Sequence, residues 1–129
     1  MTRMNKEDTT KYMANIARMM LADGRIDPIE EVIFDEVARD IGAGYFEKKE
    51  GRDLASAEDF DLPLVTRLSD RIRNLEDMLF MAYCNDELDP GERDLVIDFA
   101  KRLEISQAQL EEVRLQTKQR YTLFKKDRA

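Results

Sequence analysis

The sequence predicts an all-α protein, a compact bundle of six or seven helices built from two pseudo-symmetric helical hairpins. Three observations predict it. Apolar residues recur at spacings of three and four, and nothing alternates with period two. The five glycines and three prolines fall between the periodic segments instead of inside them. A shift of 62 positions superposes one hairpin on another with no gap. At 129 residues the chain reads as one domain spanning 1–129. A chain of that size buries roughly two-thirds of its unfolded surface, so it needs neither disulfides nor a structural metal to hold a core.

The first helix is expected over about 9–22, with Met13, Ile16, Ala17, Met20 and Leu21 on one face. A turn, Asp23-Gly24-Arg25-Ile26, follows. Asp27 is then an N-cap, Pro28 fits the first helical position and Glu30 completes a capping box. The second helix runs from about 28 to 41, burying Ile33, Phe34, Val37, Ala38 and Ile41, and Gly42-Ala43-Gly44 ends it. Residues 45–50 form a short helix, 51–61 an acidic connection, and Pro63 opens another short helix to about Arg71. Asn74 reads as the cap of a helix over about 75–85. Asp89-Pro90-Gly91-Glu92 starts a helix to about 103, and Ser106-Gln107-Ala108-Gln109 starts a basic C-terminal helix over about 106–125.

The hairpin repeats cover about 9–42 and 74–104. Asp27, Pro28, Glu30 and Ala38 meet Asp89, Pro90, Glu92 and Ala100 as identities under the shift, and the apolar sets coincide. Two hairpins with matching apolar faces bury them against each other about a pseudo-two-fold axis.

Each hairpin turns through an acidic segment. Counted back from Glu30 as the twelfth position, the first turn matches the later part of an EF-hand loop at Asp27, Ile26, Gly24 and Asp23. Its first and third positions, Met19 and Leu21, break that pattern. Potential oxygen ligands are Asp23, Asp27 and Glu30 in one turn and Asn85, Asp89 and Glu92 in the other, with Asp86 as a spare carboxylate. Carboxylate oxygens suit hard cations, calcium ahead of magnesium or manganese. The competing reading is structural: Asp-Pro-x-Glu starts a helix well without any ligand, its carboxylates satisfying amide hydrogens and opposing the positive helix end. Capping accounts for Asp27 and Glu30 but not for Asp23 or Asp86.

The segments 21–31 and 86–93, each following an apolar helix, resemble the tellurite-resistance TerB-like family over about residues 10–115. The resemblance implies an all-helical domain with internal pseudo-symmetry, a bacterial stress or metal-resistance setting, and membrane-linked partners. It also implies divalent-cation binding at Asp23, Asp27 and Glu30, with Asp89 and Glu92 as counterparts, and no established enzymatic activity. In the second copy Asn85-Asp86 replaces Asp-Gly, a departure from the motif.

Composition narrows the chemistry. With no histidine, His-dependent nucleophilic systems and His-ligated metals are excluded, and a single cysteine, Cys84, excludes an intrachain disulfide and a thiolate cluster. A metal-assisted phosphoryl-transfer enzyme is disfavoured because only Arg25 accompanies the carboxylates of the first turn. No apolar run reaches transmembrane length and the first residues lack a secretion signal, so a cytoplasmic protein is expected. Net charge is −7, divided between residues 1–112 at −12 and residues 113–129 at +5. The acidic body and the lack of aromatics interleaved with the basic tail argue against nucleic acid. Leu110, Val113, Tyr121 and Phe124 form one stripe of the last helix, which either closes the bundle or docks on an acidic partner or anionic surface. Met13, Met20 and Met78 fall on core faces, while Met19 and Met81 read either as core or as the lining of a groove. The expected function is a non-catalytic binding module acting through a cation or a protein partner. Oligomeric state is not fixed by the sequence.

Overall fold

The computed structural model describes residues 4–22, 24, 26–85 and 89–128. All regular structure among them is helical: α1 (Lys6–Leu21), α2 (Pro28–Ile41), α3 (Tyr45–Ala55), α4 (Leu68–Ala82), α5 (Pro90–Arg102) and α6 (Gln107–Arg128), with a 3₁₀ turn at Tyr83–Asn85 after α4. Among the described residues no helix is long and apolar enough to cross a membrane.

Local chemistry explains most of the boundaries. Asn5 caps α1 by accepting the Asp8 amide at 2.8 Å. Gly42 ends α2 in the left-handed conformation at φ 78°, so that the Ala43 amide reaches back to the Ala38 carbonyl at 2.8 Å. Ser106 and Gln109 form a reciprocal cap for α6, the Gln109 amide donating to the Ser106 hydroxyl and the Ser106 amide to the Gln109 side chain.

Three expectations are corrected. The first is α4, which begins at Leu68 and not after Asn74. Asn74 lies inside the helix, fully buried, where its side chain bonds to Asn15 and to the Tyr12 carbonyl. The second is the short helix at Pro63, which does not form. Residues 60–65 form no helix, with Leu62 in the left-handed region at φ 52° and its carbonyl held by Arg102. The third is α3, which continues through Gly51 to Ala55, because Gly51 lies against α1 and is not a break.

The core is organised around α1 and α4. Both are buried on nearly every face, which is how a central helix differs from a surface one. They pack on each other; α2 and α3 cover α1, and α5 and α6 cover α4. Met19 and Met81, 1% and 0% exposed, are therefore core residues and not the lining of an open groove. Leu21, expected on the buried face, is 36% exposed at the helix end. Tyr12, Ile16, Phe34, Leu75, Met78 and Phe99 are among the largest fully buried side chains.

The helix starts recur at the repeat distance. Lys6, Pro28 and Tyr45 open α1, α2 and α3, and Leu68, Pro90 and Gln107, each 62 residues on, open α4, α5 and α6. The left-handed residues Gly42 and Glu104 are separated by the same interval, as are the Ala43-to-Ala38 and Ile105-to-Ala100 hydrogen bonds that follow them.

Candidate site at the acidic turns

Both Asp-Pro-x-Glu segments form complete capping boxes. At α2, the Asp27 amide donates to Glu30 Oε1 at 2.8 Å. At α5, the Glu92 amide donates to Asp89 Oδ1 at 2.9 Å and the Asp89 amide to Glu92 Oε1 at 3.3 Å. The two glutamates are 1% and 2% exposed, so each spends a carboxylate oxygen inside the protein on the turn it caps. The caps bring negative charge to the positive ends of α2 and α5, where it is stabilised.

The start of α5 also meets the end of α1. A Cβ on Gly91 would lie 3.4 Å from the Ala22 carbonyl oxygen and 3.3 Å from Asp89 Oδ1, so the start of α5 rests on the end of α1. Ala22 immediately precedes Asp23 in the chain. The structure thereby gathers Asp27 with Glu30, and Asp89 with Glu92, and sets the second pair beside the residue leading into the first turn. Asp23 and Asp86, the two carboxylates that capping does not explain, lie outside the described residues. Among the described residues, no three aspartate, glutamate or cysteine side chains group closely enough to hold a metal ion.

A second polar assembly crosses the centre of the bundle, and the apolar patterning did not single it out. The Tyr12 hydroxyl donates to Asp77 Oδ2, and Arg120 from α6 donates to Asp77 Oδ1 at 2.7 Å. Asn15 donates to Asn74 Oδ1 at 2.8 Å and to the Pro63 carbonyl at 2.9 Å. Burial, followed by the charge of Asp77, holds the Tyr12 hydroxyl far above its usual range. Burial, again reinforced by Asp77, also raises the neighbouring Glu76 carboxyl. The signal available in the sequence is the repeat: positions 12 and 74, and positions 15 and 77, are 62 residues apart. The bonds Tyr12–Asp77 and Asn15–Asn74 thus join the same two repeat positions in opposite order. Cys84 is buried, in a setting that does not present its thiol to a substrate.

Comparison of the chain with protein-family models, curated proteins and solved structures returns no match.

Proposed function

We propose that this chain is a non-catalytic, TerB-like binding module of the bacterial cytoplasm, working in a stress or metal-resistance setting, and that its ligand is a hard divalent cation taken at the paired acidic turns. The observation that carries the reading is the contact of Gly91 with Ala22, which sets the capped start of α5 beside the residue that leads into the first acidic turn. The donors there are oxygens only, which suits calcium ahead of magnesium or manganese. Asp23, Asp27, Asp86 and Asp89 would supply the carboxylates around the ion, with Glu30 and Glu92 anchoring the turns from inside. The chemistry such an ion supplies is charge neutralisation that stiffens the two turns into a partner-facing surface. No catalytic role is assigned, since the chain has no histidine and its one cysteine is buried.

The recurrence of helix starts, left-handed ends and central hydrogen bonds at 62 residues supports the pseudo-two-fold arrangement of the halves, about which the turns are equivalent. A second reading is favoured by the completeness of both capping boxes: the acidic motifs serve the helices alone, and the module binds a protein partner, membrane-associated in the setting that the resemblance implies. An NMR titration separates the two. Calcium shifts the amide signals of Asp23, Gly24 and Asp27 on the first reading, and Asp27→Asn with Glu30→Gln abolishes the shift. No saturable shift at millimolar calcium, magnesium or manganese leaves the turns as caps.

A further inference from the structure

Helix α6 has 22 residues where α3 has 11. The shift that carries Tyr45 onto Gln107 carries Ala55, the last residue of α3, onto Thr117, so residues 118–128 extend beyond anything in the first half. The third helices also dock differently. Helix α3 presents Gly51 and Ala55 to α1, and the backbones approach until a Cβ on Gly51 would lie 3.0 Å from the Ala14 nitrogen. Helix α6 holds α4 through long side chains from the extension. The Arg120 guanidinium lies 4.0 Å over the Phe80 ring while bonding to Asp77, and the Tyr121 hydroxyl donates to the Cys84 carbonyl at 2.9 Å. The Tyr121 and Phe124 rings stand edge-on to Phe80 at 6.1 and 5.3 Å. Lys118, Thr122, Leu123 and Lys126 on the same extension face solvent.

An Arg-Tyr-x-x-Phe helix seated on an aromatic surface with buried acceptors is helix-in-groove recognition performed within one chain. We propose that the outer face of α4 and the 3₁₀ turn is a docking groove for a basic helix carrying this arginine-aromatic-x-x-aromatic pattern, filled in cis by residues 118–128, and that a partner helix of the same pattern binds by displacing them. Charge and hydrogen bonding fix the occupant. Asp77 is 4% exposed, and with the extension lifted it loses its guanidinium, as the Cys84 carbonyl loses its hydroxyl donor. A replacement must bring an arginine and aromatic rings at the same spacing, one ring carrying a hydroxyl. The tethered segment competes at high effective concentration, so it acts as an autoinhibitory strap. This reading is independent of cation binding at the turns.

The test uses the full chain and a fluorescein-labelled peptide with the sequence of residues 114–128, followed by fluorescence anisotropy. The apparent affinity of an occupied groove scales with the fraction of open molecules, so Tyr121→Ala with Phe124→Ala, which weakens the strap and leaves the groove intact, strengthens peptide binding about ten-fold or more. Peptide carrying Arg120→Ala loses about ten-fold against that variant. In parallel, the rate at which a thiol reagent labels Cys84 rises in the variant while its far-ultraviolet circular dichroism stays helical. Should the double variant fail to fold, Arg120→Lys in the chain supports the same comparison. No saturable binding to the weakened chain, equal binding of the two peptides, or unchanged Cys84 labelling overturns the proposal.

Discussion

Replacing Tyr12 by phenylalanine removes one hydroxyl from the centre of the bundle and nothing else. The phenylalanine ring fills the same space, so no cavity opens and the transfer of apolar surface is unchanged. What is lost is a donor to Asp77, a carboxylate 4% exposed that then retains Arg120. A hydrogen bond to a charged group contributes about 1.5–3 kcal/mol, and the buried setting argues against water taking its place. For a 129-residue domain, 1 kcal/mol moves the midpoint of thermal unfolding by roughly 3–5 °C. Tyr12→Phe therefore lowers Tm by about 6–10 °C and lowers the urea midpoint without changing the slope, a loss of about 2 kcal/mol.

The pH dependence supplies an internal check on the same variant. The Tyr12 hydroxyl of the folded protein is held above its usual value of 10, by burial first and by Asp77 second. The unfolded chain releases this proton before the folded one does. Stabilisation from Tyr12 is accordingly complete below pH 10 and declines as the pH rises beyond it, so the gap between wild type and variant narrows in alkali. A stability loss below about 0.5 kcal/mol at neutral pH, or a gap that widens above pH 10, refutes the assignment of Tyr12 as donor to a buried carboxylate.

Other substitutions probe the remaining architecture. Gly51→Ala gains about 1 kcal/mol of helix propensity but drives a methyl against the Ala14 backbone at 3.0 Å; overpacking of about 1–3 kcal/mol outweighs the gain, and urea unfolding shows net destabilisation. Asp27→Ala and Asp89→Ala each remove one capping side chain and cost about 1 kcal/mol by the same assay, additively if the boxes act separately. Glu104→Gly relaxes a left-handed residue at φ 60° and raises Tm, whereas Gly42→Ala, at the equivalent position with φ 78°, lowers it, each by about 1 kcal/mol.

The all-helical class and the limits of α2 were legible because Asp27, Pro28, Glu30 and Gly42 are local signals that no tertiary contact overrides. The start of α4 was not legible. A lone asparagine before an apolar run has the look of a cap, and the partner that makes Asn74 an interior residue, Asn15, lies 59 residues away in sequence. Gly51 misled for a related reason: a glycine inside a helix marks a close approach as readily as a break, and only the presence of α1 decides which. Pro63 opens no helix because residues 60–65 are spent as a strap, with the Pro63 carbonyl held by Asn15 and the Leu62 carbonyl by Arg102. At the acidic turns, the capping boxes were readable from spacing alone, but the contact of Gly91 with Ala22 was not, because it depends on how α1 and α5 come together. The Tyr12–Asp77–Arg120 assembly has residues from three helices, and no local pattern marks them as a set.

The most direct test of the cation reading is the thermal stability of the full chain as calcium is raised. A ligand that binds only the folded state stabilises it by about 2.7 kcal/mol at a hundred times its dissociation constant. The capping boxes are made by Asp27 with Glu30 and by Asp89 with Glu92, so Asp23→Asn with Asp86→Asn lowers the charge of the turns without removing a capping residue. The account predicts a Tm that climbs with calcium in the wild type, by roughly 8–14 °C near a hundred-fold excess over the dissociation constant, and a flat response in the double variant. A wild-type Tm that does not move with millimolar calcium, or one that moves equally in both proteins, contradicts it.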